Sequence, residues 1–204
     1  VIHSDMYSKY PNISAYVLAG GKSSRMGADK GLVLFREKPM VQYVLDVLDA
    51  NFNKTTIITT NKDYEQFGYE MIADIIHDIG PAGGIFTAMK HASTDKIFII
   101  SCDMPFITSK VVDYLVENSQ SAQICLSFSD ENVQPLPGVY STECAEKWKE
   151  LVKQGNYKLR DLVMHFRLKT IDTKNMFGLS DVLFMNINDK KQLDHALKLH
   201  PDEN

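Results

Sequence analysis

Residues Leu18 to Gly31 read LAGGKSSRMGADKG, and this stretch gives the first indication of the fold. It begins at the end of a short apolar run, Ala15 to Leu18, which predicts a β-strand that feeds a glycine loop. Glycines allow the backbone to approach a ligand closely and to turn its N–H groups toward phosphate oxygens. From Lys22 to Lys38 there are five basic and two acidic residues, although the whole chain has a net charge of −4. A cationic glycine loop on an acidic chain therefore predicts an anionic ligand.

Two common phosphate-binding motifs do not fit this loop. The string Gly21-Lys22-Ser23 resembles the end of a Walker A loop, but that motif needs a glycine where Tyr16 stands. The dinucleotide pattern GxGxxG, started at Gly20, would need a second glycine at Lys22. The chain is therefore predicted to be neither a P-loop ATPase nor a dinucleotide-binding dehydrogenase.

Outside the loop, short apolar runs alternate with amphipathic segments. This alternation predicts βαβ units and an α/β fold with a mainly parallel sheet. In such a sheet the ligand lies beyond the carboxyl ends of the strands, so the loops after Leu18, Thr60, Ala73 and Ser101 are expected to converge. Further strands are predicted at 55–60, 69–73, 96–101, 123–129, 136–141, 168–172 and 183–187, and helices around 41–48 and at 83–92, 109–118, 143–154, 158–165 and 190–199.

Composition narrows the class of protein. The chain has 204 residues, of which 44% are hydrophobic and 24% charged, typical of one globular domain at a prior of ~150 residues per domain. An acidic balance argues against nucleic acid as the partner. The three cysteines are not paired as CxxC, so neither a disulfide framework nor a zinc site is indicated. Without a signal peptide or a long apolar run, we expect a cytoplasmic protein without a membrane anchor.

The loop also resembles a known family. LAGGKSSRMGADKG is similar to the LAGGxSxRMGxDK signature of nucleotidyltransferases related to molybdenum cofactor guanylyltransferase, which joins GMP to molybdopterin. The resemblance continues in order through Thr59-Thr60-Asn61, the segments 78–84 and 101–105, and Asn186-Ile187-Asn188. It implies one three-layer αβα Rossmann-like domain over 14–204, with a nucleotide-binding half at about 14–105 and an acceptor-binding half at about 106–204. Residues 1–13 would be an extension or a remnant of expression.

The resemblance implies roles for residues of the nucleotide-binding half. Asp103 would be both catalytic and the ligand of Mg²⁺, while Arg25 and Lys30 would neutralise the triphosphate and the leaving pyrophosphate. GTP would also be bound by the loop and by residues at or after the ends of the next three predicted strands. That set is Leu18, Ala19, Gly20, Gly21, Lys30, Thr59, Asn61, Asp78 and Asp103. The register leaves open whether Thr59 or Asn61 contacts the base.

On the acceptor side the resemblance implies contacts from Asn186, Asn188, Lys158 and Arg160. The two asparagines could instead cap the following helix, and the two basic residues could lie on a solvated helix face. The implied substrates are GTP and molybdenum-molybdopterin, with molybdoenzyme chaperones as further candidates for partners. Two alternatives stay open: a cytidylyltransferase or sugar-phosphate nucleotidyltransferase of the same fold, and a non-catalytic nucleotide-binding protein.

Overall fold

A computed structural model describes residues 8–20, 29–129, 132–172 and 181–199 of the chain. Within these residues the strands are β1 (Ile13–Leu18), β2 (Leu34–Phe35), β3 (Lys38–Pro39), β4 (Thr55–Ile58), β5 (Glu70–Ile72), β6 (Lys96–Ser101), β7 (Ile124–Ser129), β8 (Asn132–Ser141) and β9 (Leu168–Asp172). The α-helices are α1 (Met40–Asp49), α2 (Pro81–His91), α3 (Ser109–Asn118), α4 (Ala145–Lys153), α5 (Leu159–Val163) and α6 (Lys190–Ala196).

The described strands form one seven-stranded sheet in the order β5-β4-β1-β6-β8-β7-β9, with β2 and β3 as a separate hairpin. Strands β5, β4, β1 and β6 are parallel neighbours, and β7 pairs in parallel with β9. Only β8 runs antiparallel to its neighbours β6 and β7 within this sheet. The mainly parallel sheet predicted from the sequence is therefore confirmed.

Helices cover both faces of the sheet, because successive strand residues point to opposite sides. Val17 and Phe98 point into a core that also contains the apolar face of α1, whose Val44 and Leu48 are fully buried. Tyr16 belongs to the core on the opposite face, which is built with α2, α4 and α5. The three-layer αβα architecture follows from these two cores.

The chain crosses over at β1. After β1 it adds β4 and β5 on one side, then returns to place β6 on the other side of β1. Leu18 and Ser101, the last residues of β1 and β6, are register partners. Ligands of doubly wound sheets bind where the strand order reverses in this way, at the carboxyl ends of the strands.

One predicted strand is wrong. Residues Asp181–Phe184 form a 3-10 turn, and no strand follows it up to Ile187. Leu183 and Ile187 are buried against the core, which accounts for their apolar character. The backbone N–H of Ile187 donates to the carbonyl of Asp103 at 2.9 Å, so this segment crosses the carboxyl edge of the sheet rather than joining a strand ladder.

Candidate active site

A cavity of about 850 Å³ opens at the carboxyl edge of the sheet. It is lined by the loops that follow β1, β4, β5 and β6, so the predicted convergence of these four loops is confirmed. Gln134 to Leu136 of β8, Leu159 of α5, and Asn186 and Asn188 complete the wall. The cavity thus lies at the reversal of strand order.

The described part of the glycine loop forms one wall of the cavity. Leu18, Ala19 and Gly20 all line it, and Gly20 has a φ of +117°, which side-chain-bearing residues rarely adopt. The amide of Ala19 donates to the carbonyl of Ile58 at 3.0 Å, which keeps the loop attached to the sheet. Gly21 and Arg25, predicted to bind GTP and to catalyse respectively, lie outside the described residues.

Lys30 and Asp103 meet inside the cavity although they are far apart in the sequence. The Nζ atom of Lys30 lies 3.3 Å from Oδ2 of Asp103 and donates to Oδ1 of Asn188 at 2.5 Å. Asp103 follows β6 and is only 4% exposed. A cation, a carboxylate and an amide from three distant parts of the chain thus form one polar cluster, in which Asp103 is buried and the other two are partly exposed.

The second oxygen of Asp103 is unpaired within the described part of the chain. Oδ1 of Asp103 is buried and has no hydrogen-bond partner among the described residues. A buried carboxylate oxygen left in this way costs stability, and such groups call for an explanation such as a bound ion.

The carboxylate chemistry fits magnesium, which takes hard oxygen ligands and is often held by one or two carboxylates plus substrate phosphates. Among the described residues no group of three or more His, Cys, Asp or Glu could hold a metal unaided. The described carboxylates would therefore supply fewer than three ligands, and water or phosphate oxygens would fill the other positions around the ion.

The loop after β5 brings two aspartates to the cavity. Asp78, predicted from the sequence, lines it as an exposed residue with a φ of +62°. Asp74 was missed, although it lies two residues beyond β5, much as Asp103 lies two residues beyond β6. That position relative to the strand end is the signal that could have found it.

Asp74 is also less exposed than Asp78. Its Oδ1 atom is buried without a hydrogen-bond partner among the described residues. Burial raises the pKa of the Asp74 carboxyl, while the nearby His77 and the hydroxyl of Thr87 act in the opposite direction. Asp74 therefore resembles Asp103 in lining the cavity and in having one buried carboxylate oxygen that is unpaired among the described residues.

The side chains of Thr59 and Asn61 have different surroundings. Thr59 lines the cavity, and its hydroxyl accepts a hydrogen bond from the amide of Asn61 at 3.1 Å. Asn61 does not line the cavity. Its side-chain oxygen accepts from the amide of Asp63 at 3.0 Å, and its Nδ2 donates to Oδ2 of Asp29 at 3.2 Å. Of the two residues predicted to contact the base, Thr59 is thus the one that faces the cavity.

The residues predicted on the acceptor side also divide. Asn186 and Asn188 line the cavity, although they do not lie on a strand. Lys158 and Arg160 are exposed and do not line it, and Nη1 of Arg160 donates to Oδ1 of Asn132 at 3.2 Å. Cap formation at α6 falls to Asp189, whose Oδ1 accepts from the amide of Gln192 at 2.9 Å.

A doubly wound sheet with a cationic and carboxylate cavity at its carboxyl edge is an arrangement typical of nucleotide-binding α/β proteins. Residues 15–170 match the model of the MobA-like NTP transferase domain. A relative from Flavobacterium johnsoniae, described as a probable molybdenum cofactor guanylyltransferase, is 32% identical over 173 residues, covering 83% of this chain and 91% of the relative. The chain therefore belongs to the MobA-like family of nucleotidyltransferases.

Two further comparisons agree with this assignment. A relative from Clostridium perfringens strain 13, with the same description, is 33% identical over 162 residues, covering 78% of this chain and 81% of its own length. The crystal structure of molybdopterin-guanine dinucleotide biosynthesis protein A from Archaeoglobus fulgidus superposes with a TM-score of 0.78 at 22% identity, covering 91% of this chain and 97% of that one. At that identity the superposition supports the fold.

The family assignment makes the chain a member of an enzyme class that transfers nucleotidyl groups. None of the described helices is both long enough and apolar enough to cross a lipid bilayer.

Proposed function

We propose that this chain is a Mg²⁺-dependent molybdenum cofactor guanylyltransferase, which transfers GMP from GTP to the phosphate of molybdenum-molybdopterin. The products are the guanine dinucleotide cofactor and pyrophosphate. The observation that carries the proposal is the cluster of Lys30, Asp103 and Asn188 in the cavity, with one carboxylate oxygen of Asp103 buried and unpaired. The names of the relatives support the choice of substrates.

In this proposal the triphosphate of GTP lies against the loop Leu18 to Gly20, and Lys30 neutralises its charge together with Arg25. Asp103 would hold Mg²⁺, which would supply charge neutralisation at the reacting phosphate. Thr59 contributes to the binding of the nucleoside. Asp78 and Asp74 line the same cavity.

The reaction is an in-line displacement at the α-phosphorus. A phosphate oxygen of the acceptor forms a bond to the α-phosphorus, and the bond from that phosphorus to the oxygen bridging to the β-phosphate breaks. The electron pair leaves with pyrophosphate. Because the acceptor phosphate is already anionic near neutral pH, the chain supplies alignment and charge neutralisation more than a general base. Lys30 is the described residue best placed to offset the charge that develops on pyrophosphate.

The acceptor would enter from the side formed by residues after Asp103. Asn186 and Asn188 offer two amides to its polar groups, and Asn188 contacts Lys30 directly. Lys158 and Arg160 are exposed, but Leu159 between them lines the cavity. If these two basic residues bind the acceptor, they would contact its outer part. We further propose that the protein acts in the cytoplasm and passes its product to a molybdoenzyme or its chaperone.

Nucleotide selectivity tests the proposal. Calorimetric titration with GTP, CTP and ATP in Mg²⁺, on the protein and on Lys30→Ala, should give selective GTP binding that is weakened in the variant. Preference for CTP would replace the proposal with a cytidylyltransferase. An absence of nucleotide binding would refute it, and GTP binding without turnover on any acceptor would indicate a non-catalytic binding protein.

A further inference from the structure

Asp29, the residue before Lys30, lines the cavity but turns its carboxylate toward the protein. Oδ1 of Asp29 accepts hydrogen bonds from the hydroxyl of Tyr64 at 2.5 Å and from the amide of Gly31 at 3.2 Å. Oδ2 accepts from Nδ2 of Asn61 at 3.2 Å. Both oxygens of Asp29 are therefore engaged, in contrast to Asp103, which keeps one oxygen unpaired.

Tyr64 provides a fixed anchor for this carboxylate. It lies in the 3-10 turn Lys62–Phe67 and is fully buried. Burial, followed by the neighbouring Cys102 and Asp29, raises the pKa of Tyr64 far above its ordinary value, so the hydroxyl stays protonated and donates. A buried tyrosine hydroxyl needs a partner, and the partner here is Asp29.

The segment that follows is packed tightly onto the same hydroxyl. A Cβ atom added to Gly31 would lie 2.3 Å from Oη of Tyr64 and 3.0 Å from Sγ of Cys102. Asp29 also caps the 3-10 turn Lys30–Leu32 through its bond to the amide of Gly31. Lys30 is thus the first residue of a turn whose N-terminus is held by Tyr64 through Asp29.

We infer that Tyr64 and Asn61 are positioning residues for Lys30, acting through Asp29, and that Asp29 is an anchor rather than a metal ligand. The inference rests on the proposed function, in which Lys30 binds the triphosphate. Engaging both oxygens of Asp29 also removes an unpaired anion that would otherwise face the phosphates. Tyr64 and Asn61 thereby contribute to nucleotide binding without touching the nucleotide.

The test compares Tyr64→Phe with Tyr43→Phe. Tyr43 is a matched control because its hydroxyl donates to the carbonyl of Phe35 at 2.9 Å and does not line the cavity. Tyr64→Phe should weaken GTP binding, measured by calorimetry, and lower kcat/KM, each by about tenfold. Tyr43→Phe should leave both within about twofold of the unsubstituted protein.

A background variant separates positioning from a general structural effect. In the Lys30→Ala background, Tyr64→Phe should cause no further loss, since the residue that it positions is gone. An equal loss in both backgrounds, or wild-type binding by Tyr64→Phe, would overturn the inference. If Lys30→Ala itself binds and turns over GTP normally, the proposed function fails at Lys30, a result distinct from failure of the positioning argument.

A second variant keeps the test available if Tyr64→Phe does not fold. Asn61→Asp retains an oxygen that can cap the turn at Asp63 but replaces the donor facing Asp29 with a carboxylate. It should lower GTP affinity in the Lys30 protein by about tenfold or more, and by a clearly smaller factor in the Lys30→Ala background, where only repulsion between the carboxylates and the triphosphate is left. Unchanged affinity in Asn61→Asp would contradict the inference.

Discussion

Replacing Asp103 with asparagine removes the negative charge of this cavity residue while nearly keeping the size of its side chain. Asparagine has nearly the same size, and Oδ1 of Asp103 has no described partner to lose. At the 3.3 Å separation from Lys30, the gross attraction is ~5 kcal/mol at an effective dielectric constant of about 20. Burying a carboxylate costs several kcal/mol, so the two effects nearly cancel in the free energy of unfolding.

Activity should respond very differently to the same substitution. Removing one placed electrostatic group at a phosphoryl-transfer site typically lowers kcat by ~10²–10³. We therefore expect Asp103→Asn to lose that factor in pyrophosphate release from GTP with molybdopterin, while its Tm stays within about 4 °C of the unsubstituted protein. The assay pairs a pyrophosphate-release measurement with thermal unfolding of the same preparation.

The control is Asp95→Asn, at a carboxylate that precedes β6 rather than follows it and does not line the cavity. It should retain normal turnover. Retention of more than about a tenth of the activity by Asp103→Asn would refute an electrostatic role for Asp103. A large fall in Tm together with the loss of activity would show that the carboxylate is chiefly structural.

Three further predictions concern other parts of the molecule. Because burial raises the pKa of Asp74 above its value in the unfolded chain, ionisation of Asp74 destabilises the folded state as the pH rises. Asp74→Asn should therefore raise Tm at pH 7, and this gain should shrink toward acid pH. A gain in Tm that grows on acidification would contradict this reasoning. Gly31→Ala places a Cβ atom 2.3 Å from Oη of Tyr64. It should lower the free energy of unfolding by ~1–3 kcal/mol, which is measured as a lower denaturant midpoint. An unchanged midpoint would contradict the close packing of Gly31 on Tyr64. Trp148→Phe removes a fully buried indole whose Nε1 donates to the carbonyl of Ala82 at 3.0 Å. The free energy of unfolding should fall by ~1–3 kcal/mol, while kcat of the folded protein should not change. A large fall in kcat would show that Trp148 is coupled to the cavity.

The sheet could be predicted because its strands are short apolar runs with a clear end. The run at 96–101 became β6, and the β-branched stretch from Thr55 became β4. The apolar spacing from Val41 to Leu48 placed α1, whose apolar side is buried. These are local signals, and each one agrees with the packing that surrounds it.

Residues 183–187 show where such signals fail. Leu183 and Ile187 are apolar side chains buried in the core. The segment contacts the edge of the sheet through the hydrogen bond from the amide of Ile187 to the carbonyl of Asp103 and does not pair along a strand. Alternation of apolar and polar residues cannot distinguish a strand from a segment that crosses the ends of other strands. That distinction depends on tertiary contacts distant in sequence.

The candidate site was partly visible for the same reason. Strand ends and the glycine loop predicted where Lys30 and Asp103 would meet, but not which polar groups are already occupied. Asn61 is engaged by Asp29, whereas Asp74 keeps an unpaired oxygen. Hydrogen-bond occupancy is set by neighbours in space, so a sequence motif alone does not separate a residue that binds from one that positions.

The most direct test of the proposed function is product formation from purified molybdenum-molybdopterin, GTP and Mg²⁺, with CTP in a parallel reaction. We expect one pyrophosphate to be released per acceptor consumed with GTP, and a product whose mass has increased by one guanylyl (GMP) unit. Product formed with CTP in place of GTP, or no nucleotide adduct with either, would contradict it.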